Sequence, residues 1–265
     1  ALYYDIKQKN IINYDGREKA PMKLSERVFL ENSGQRMKFF DAVIGGRSVG
    51  VPGTLATLKE LHQDFGNLEW EKIIYPVIQL AENGFYPPPR LVAALKKEKY
   101  LFNENTNDYF LNIKENPKKL TKNWDYAKTL KKISKNYKEF YEGNIAVDIV
   151  KKVLANKNPG YLSLNDLKNY KVEKKSPICV ELKKFYFCGP APPSSGGISI
   201  AQALIIYENF NFKKEISDLS KALEILNFVY LQRKNYLADP KFVKIDVEKL
   251  LNFRHLEKQF SQYLN

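Results

Sequence analysis

The sequence predicts a mixed α/β fold. Two β-favouring runs near the N-terminus and a second pair around residues 176–189 supply strands, and helical apolar spacing recurs between and after them. With 44% hydrophobic and 13% aromatic residues among 265, the chain can build a substantial core as one large or two small domains. No run of about 18 apolar residues occurs, so no transmembrane helix is expected.

Taken in order, residues 2–18 (LYYDIKQKNIINYDGRE) read as a β-hairpin whose strands flank a polar KQKN turn. The stretch DGREKAP, residues 15–21, then lies at the end of the second strand, where Pro21 disfavours further pairing. Residues 24–30 are expected as a short helix and NSGQ as a loop. GGRSVGVPGT brings four glycines and a proline into the approach to a helix from Thr54, with apolar residues at 55, 58, 61 and 65 and Gly66 as its stop. A second helix is expected over Glu69 to Asn83. Trp70, Ile73, Ile74, Val77, Ile78 and Ala81 form its buried stripe, Pro76 kinks or splits it, and Gly84 closes it.

PPPR at 87–90 opens another helical piece, and the Asn-rich residues 100–121 read as irregular and exposed. Helices are expected near 124–135 and 144–156, and Ser163 with Asp166 caps a short one. A hairpin at 176–189 precedes APPSSGG, residues 191–197, which leads into the helix ISIAQALIIYENF. Further helices are expected over 217–236 and 253–263. No repeat or linker is visible, so a single domain over 1–265 is expected.

In SPICVELKKFYFCGP, a two-residue Lys183-Lys184 turn would set Val180 opposite Phe187 and Cys179 opposite Cys188. That register puts the cysteines at a non-hydrogen-bonded site, where side chains sit closest. A cross-strand disulfide and a pair of free core thiols both satisfy the pattern. Lys-Lys is a poor turn pair, which leaves the register itself open.

The formal charge of +13 raises the question of a nucleic-acid partner. The basic residues are mostly scattered lysines accompanied by many asparagines, and no zinc-finger, KH or RRM signature accompanies them, so no nucleic-acid binding is expected. The opening ALYYDIKQKN lacks a signal-peptide pattern and starts inside a strand-like run, and the chain is read as a fragment or processed product.

Few residues offer chemistry. His62 falls in an amphipathic helix and His255 among charges near the C-terminus, and neither is expected to be catalytic. No HExxH or CxxC spacing occurs, and GGRSVG is not a GxGxxG loop, so neither a metal nor a cofactor is expected. APPSSGG could present backbone N–H groups to an anion. The simpler reading is a rigid Pro-Pro turn, a cap by Ser194 or Ser195, and a glycine that permits tight packing. Arg17 likewise has two readings: an exposed pair with Asp15 or Glu18, worth about 0–1 kcal/mol, or a planar fork that grips a carboxylate through two hydrogen bonds.

The order of DGREKAP, GVPGT, GNLEWEKIIYPVIQLAENGF, PPSSGGISIAQALIIYENF and NYLADPKF resembles that of the γ-glutamyltranspeptidases, over nearly the whole chain. The resemblance implies an α/β (α+β) N-terminal nucleophile hydrolase fold with an αββα sandwich, of which this chain is the large-subunit part, incomplete at both ends. It also implies a precursor that cleaves itself into a heterodimer. The small subunit's N-terminal threonine, activated by its own α-amine, would attack the γ-glutamyl carbonyl and form an acyl-enzyme that passes to water, an amino acid or a peptide. None of Thr54, Thr57, Thr106, Thr121 and Thr129 opens such a segment, so no catalytic residue is assigned here and the chain alone is expected to be inactive. The serines of PPSSGG are not the family's glutamyl-site pair.

Arg17 matches the family arginine that binds the α-carboxylate of the γ-glutamyl group. The implied partners are the small subunit and glutathione or another γ-glutamyl compound. The implied compartment is periplasmic or secreted. Two departures stand out: Gly16 replaces a common aromatic and loosens the strand on this reading, and Gln232 replaces the aspartate usual before Arg233, removing an ion pair. Within the same fold, a poly-γ-glutamate depolymerase, a cephalosporin-type acylase and a non-catalytic binding protein are the alternatives.

Overall fold

The computed structural model describes residues 1–98, 108–155, 158–213 and 215–265. No linker is legible in the sequence, yet the chain is organised as two compact units, one of residues 16–172 and one of residues 1–15 with 173–265.

The unit of residues 16–172 is helical. It contains α1 (Phe39–Val43), α2 (Thr54–Phe65), α3 (Trp70–Asn83), α4 (Pro89–Lys97), α5 (Asp108–Glu115), α6 (Trp124–Lys135), α7 (Asn144–Leu154) and α8 (Leu164–Lys168), with a 3-10 turn at Tyr137–Phe140. Helix α3 runs unbroken through Pro76, so of the expected kink or split, the split does not occur. Its buried face is Ile74, Ile78 and Ala81, packed with Ala127, Ile133 and Ile145, while Ile73 and Val77 face solvent. A second cluster joins Val51, Tyr141, Ala146, Val153, Leu162 and Leu167.

Three expectations need correction in this unit. Residues 24–30 form successive tight turns rather than a helix. The Val28 and Leu30 N–H groups donate three residues back, to the Ser25 and Arg27 carbonyls at 3.1 and 2.9 Å, as in turns, and the Val28 and Leu30 carbonyls accept from the Arg47 guanidinium. The Asn-rich stretch contains α5, whose Ile113 is fully buried, and Thr121, buried where it pairs with Phe85. Residues 100–107 of that stretch lie outside the described residues, as does residue 156 at the expected end of α7. The third correction is the short helix α1, which no apolar spacing announces.

The other unit holds the strands. β1 (Leu2–Asp5), β2 (Asn10–Asp15) and β3 (Glu173–Lys175) form an antiparallel sheet in that order. The N-terminal turn comes one residue earlier than KQKN. Asp5 pairs with Asn10, and the Asp5 carboxylate accepts the Lys7 and Gln8 N–H groups, which closes the turn over residues 6–9. β3 is absent from the sequence reading because Glu-Lys-Lys carries no strand preference. Lys175 lies 2.6 Å from Asp15 and 3.3 Å from Glu173.

β4 (Ile178–Glu181) and β5 (Tyr186–Gly189) pair with Cys179 opposite Cys188 and Val180 opposite Phe187, the expected register, and the cysteines are joined as a disulfide. The poor Lys-Lys turn is held from outside: the Lys183 N–H donates to both Glu208 carboxylate oxygens at 3.0 and 2.9 Å, and Lys183 Nζ donates to the Glu208 carbonyl. Four helices complete the unit: α9 (Gly196–Asn209), α10 (Asp218–Tyr236), α11 (Val247–Leu251) and α12 (Phe253–Leu264). Their core contains Ile205, Ile206, Ile225, Phe228, Leu256 and Phe260. Phe210, Phe212, Phe228 and Tyr263 ring the fully buried Phe260 at centroid distances of 4.8 to 6.0 Å. Among the described residues no helix is long and apolar enough to cross a membrane.

The Cys179–Cys188 bridge closes a short loop, and loop-closure entropy sets its worth at about 2–3 kcal/mol. Replacing both cysteines by alanine should lower the unfolding free energy by that order in a denaturant titration. The intact mass of the unsubstituted protein should rise by two hydrogens on reduction.

Candidate functional site

Arg17 lies two residues beyond β2, and its backbone is fixed by packing rather than by the sheet. An ideal Cβ on Gly16 would fall 1.5 Å from Thr57 Oγ1 and 2.7 Å from Thr57 Cβ. No side chain fits there. The expectation that Gly16 loosens the strand is therefore reversed, because glycine is what lets this backbone seat against α2. Thr57 is itself buried, and its hydroxyl donates to the Gly53 carbonyl at 2.9 Å. A Cβ on Gly53 would in turn lie 2.3 Å from the Gly16 carbonyl oxygen and 2.0 Å from the Tyr170 hydroxyl. GVPGT and DGREKAP thus interlock through two glycines.

Hydrogen bonds continue the clamp. The Tyr170 hydroxyl donates to the Arg17 carbonyl at 2.7 Å. Lys19 and Val51 exchange backbone hydrogen bonds at 3.2 and 2.8 Å, and Lys19 Nζ donates to the Lys171 carbonyl. The Met22 N–H donates to Asp166 at 2.9 Å. Asp166 also accepts from the Ser163 hydroxyl and the Ser163 N–H, which completes the expected capping box on α8. Burial alone would raise the Asp166 carboxyl. The hydrogen bonds from Ser163 and Met22, with Lys23 nearby, overcome it and hold the group below the usual carboxylate range.

On this rigid support the Arg17 side chain is half-exposed and lies 3.7 Å from the Glu18 carboxylate. Such an exposed pair is worth about 0–1 kcal/mol. Arg47 and Arg233 are differently employed. Arg47 donates to backbone carbonyls and to Met37 Sδ. Arg233 Nε donates to Ser195 Oγ at 3.1 Å, and its guanidinium lies over the Tyr230 ring.

In the strand-bearing unit, PPSSGG opens α9. Ser195 stands at the N-cap position, but its side chain accepts from Arg233 instead of capping, and no side-chain cap bond is present, which corrects that expectation. The glycines serve packing: a Cβ on Gly197 would lie 2.3 Å from the Pro190 carbonyl oxygen. Gln232 is buried, and among the described residues its Oε1 has no hydrogen-bond partner. His62 packs on Trp70 and hydrogen-bonds the Leu68 carbonyl, while His255 sits in the first turn of α12. Among the described residues no group of His, Cys, Asp and Glu could hold a metal ion.

The γ-glutamyltranspeptidase family profile matches residues 1–263. The chain belongs to the γ-glutamyltranspeptidase family. It is 33% identical to a glutathione hydrolase proenzyme of Pseudomonas aeruginosa over 94% of this chain and 45% of that protein. It is 32% identical to a glutathione hydrolase proenzyme of Bacillus subtilis over 100% of this chain and 46% of that protein. The chain therefore spans about half the length of the curated relatives it matches. Its structure superposes on the γ-glutamyltranspeptidase of Pseudomonas nitroreducens complexed with L-DON with a TM-score of 0.88 at 28% identity, covering 99% of this chain and 79% of that one. The fold is accordingly the N-terminal nucleophile hydrolase type, α+β, in its large-subunit part. Residue patterns did not point to Thr57 or Tyr170. The unusual Gly16, read against the buried threonine of α2, was the available signal.

Two outcomes follow from the clamp. Gly16→Ala should destabilise the chain by about 1–3 kcal/mol through overpacking, and Thr57→Ala in the same chain should recover part of that loss in thermal unfolding. Asp166 has a lowered folded pKa, so its contribution is fully present above the unfolded value of about 3.9. It is lost as pH falls through the folded value. Asp166→Asn should therefore lower Tm at neutral pH, and its Tm should converge on that of the unsubstituted chain in strong acid.

Proposed function

We propose that this chain is the large-subunit portion of a γ-glutamyltransferase/glutathione hydrolase, in which Arg17 anchors the α-carboxylate of the γ-glutamyl donor. The observation that carries this reading is a half-exposed guanidinium set on a backbone that Thr57, Tyr170, Val51 and Asp166 hold in place. A planar fork on a fixed base can grip a carboxylate through two parallel hydrogen bonds. Gripping that remote group would place the scissile γ-carbonyl against the nucleophile and supply orientation without taking part in bond making.

The nucleophile on this reading is the N-terminal threonine of a second subunit from the same precursor. Its α-amine takes the hydroxyl proton, the oxygen attacks the γ-carbonyl, the amide C–N bond breaks and the amine leaves with that proton, and water or an acceptor amino acid or peptide then takes the glutamyl group from the acyl-enzyme. Glutathione and related γ-glutamyl compounds are the donors. The naming of relatives as proenzymes supports the partner subunit. A periplasmic or secreted site fits the Cys179–Cys188 bridge, since disulfides persist in oxidising compartments.

Arg17→Lys in the assembled two-subunit protein tests the anchor. Lysine keeps the charge and loses the fork. KM for a γ-glutamyl anilide should rise about ten- to a hundredfold with kcat changed far less, the loss of a charge-assisted hydrogen-bond pair. Unaltered kinetics would remove Arg17 from the donor site.

A further inference from the structure

We infer that Tyr170 is a positioning residue for donor binding, acting through Arg17. The inference rests on the proposed role of Arg17 and extends it to a residue that neither the family motif nor the sequence pattern assigns.

The geometry is specific. Tyr170 follows α8, and its hydroxyl donates to the Arg17 carbonyl at 2.7 Å. Its ring stacks on that of Tyr141, with centroids 6.0 Å apart and planes 16° from parallel. The Tyr141 hydroxyl donates to the Pro52 carbonyl at 3.0 Å and accepts from the Ala56 N–H at 3.1 Å. Two stacked phenols thus reach two neighbouring backbone segments, Tyr170 the one that carries Arg17 and Tyr141 the one that enters α2. Those segments are also bridged at Lys19 and Val51 and interlocked at Gly16, Gly53 and Thr57. Tyr141 is buried, which gives the stack a firm base.

A hydrogen bond to the carbonyl of Arg17 fixes the peptide plane from which its side chain departs. A long side chain magnifies small backbone rotations, and two parallel hydrogen bonds to a carboxylate tolerate little of that. Tyr170 thereby helps set the aim of the guanidinium without touching substrate. Phenylalanine at this position keeps the stack and removes only the hydroxyl.

The test compares two donors on the assembled two-subunit enzyme: γ-glutamyl anilide, and 4-aminobutanoyl anilide, which is the same acyl group without the α-carboxylate. Tyr170→Phe should raise KM for the first by about two- to tenfold, the worth of one hydrogen bond, with kcat little changed and kcat/KM for the second donor unaltered. In an Arg17→Ala background, Tyr170→Phe should add nothing further, because the group it aims is gone. Equal losses on both donors, or an undiminished effect in the Arg17→Ala background, would make Tyr170 a general structural residue and overturn the inference. A KM rise for Arg17→Ala with none for Tyr170→Phe would overturn it while leaving the Arg17 anchor standing. If neither variant changes KM, or the unsubstituted enzyme turns over neither donor, the anchor reading falls and this one with it.

Discussion

The site depends on one close approach, that of the Gly16 backbone to Thr57 on α2. The distance available to a Cβ, 1.5 Å from a hydroxyl oxygen, leaves no side chain that fits without displacing the helix. That approach brings DGREKAP against GVPGT, permits the Lys19–Val51 bridge, and presents the Arg17 carbonyl to Tyr170. Further along, Asp166 secures Met22 and caps α8 with the same carboxylate. A loop that would otherwise lose conformational freedom only at the moment of binding has met that cost in folding.

Electrostatics separates Arg17 from the rest of a strongly basic chain. The net charge of +13 comes mostly from scattered lysines, and a diffuse positive field draws anions without orienting them. Orientation needs a planar donor set on a fixed base. Arg47 and Arg233 have planar forks as well, but Arg47 is engaged with backbone carbonyls and Arg233 with Ser195 and Tyr230. Arg17 is half-exposed and lies 3.7 Å from the carboxylate of its own neighbour, Glu18.

Much of the fold was legible in the sequence where local chemistry decides it. The existence of helices α2, α3 and α6 and the Ser163–Asp166 capping box followed from spacing and residue type, and the β4–β5 register was one the pattern offered. The failures lie where a distant partner decides. Residues 24–30 are turns, and Arg47 and Met37 hold the carbonyls of residues 28–30 from outside the segment. β3 exists because β2 offers it an edge, and the Lys183-Lys184 turn holds because Glu208 reaches it across 25 positions of sequence. Ser195 fails to cap because Arg233 competes for its oxygen. For the candidate site, the ordered motifs of the family nominated Arg17, which stays a proposal, whereas the meaning of Gly16 was not legible. Its replacement of an aromatic read as looseness until the position of Thr57 was known.

The most direct measurement of the central claim is a crystal structure of the assembled two-subunit enzyme with glutamate or a γ-glutamyl acyl group in place. The α-carboxylate should accept two parallel hydrogen bonds from the Arg17 guanidinium at about 2.7–2.9 Å, with the Glu18 pairing exchanged and the Tyr170 hydroxyl still on the Arg17 carbonyl. An α-carboxylate held by other groups, with Arg17 still beside Glu18, would contradict the account.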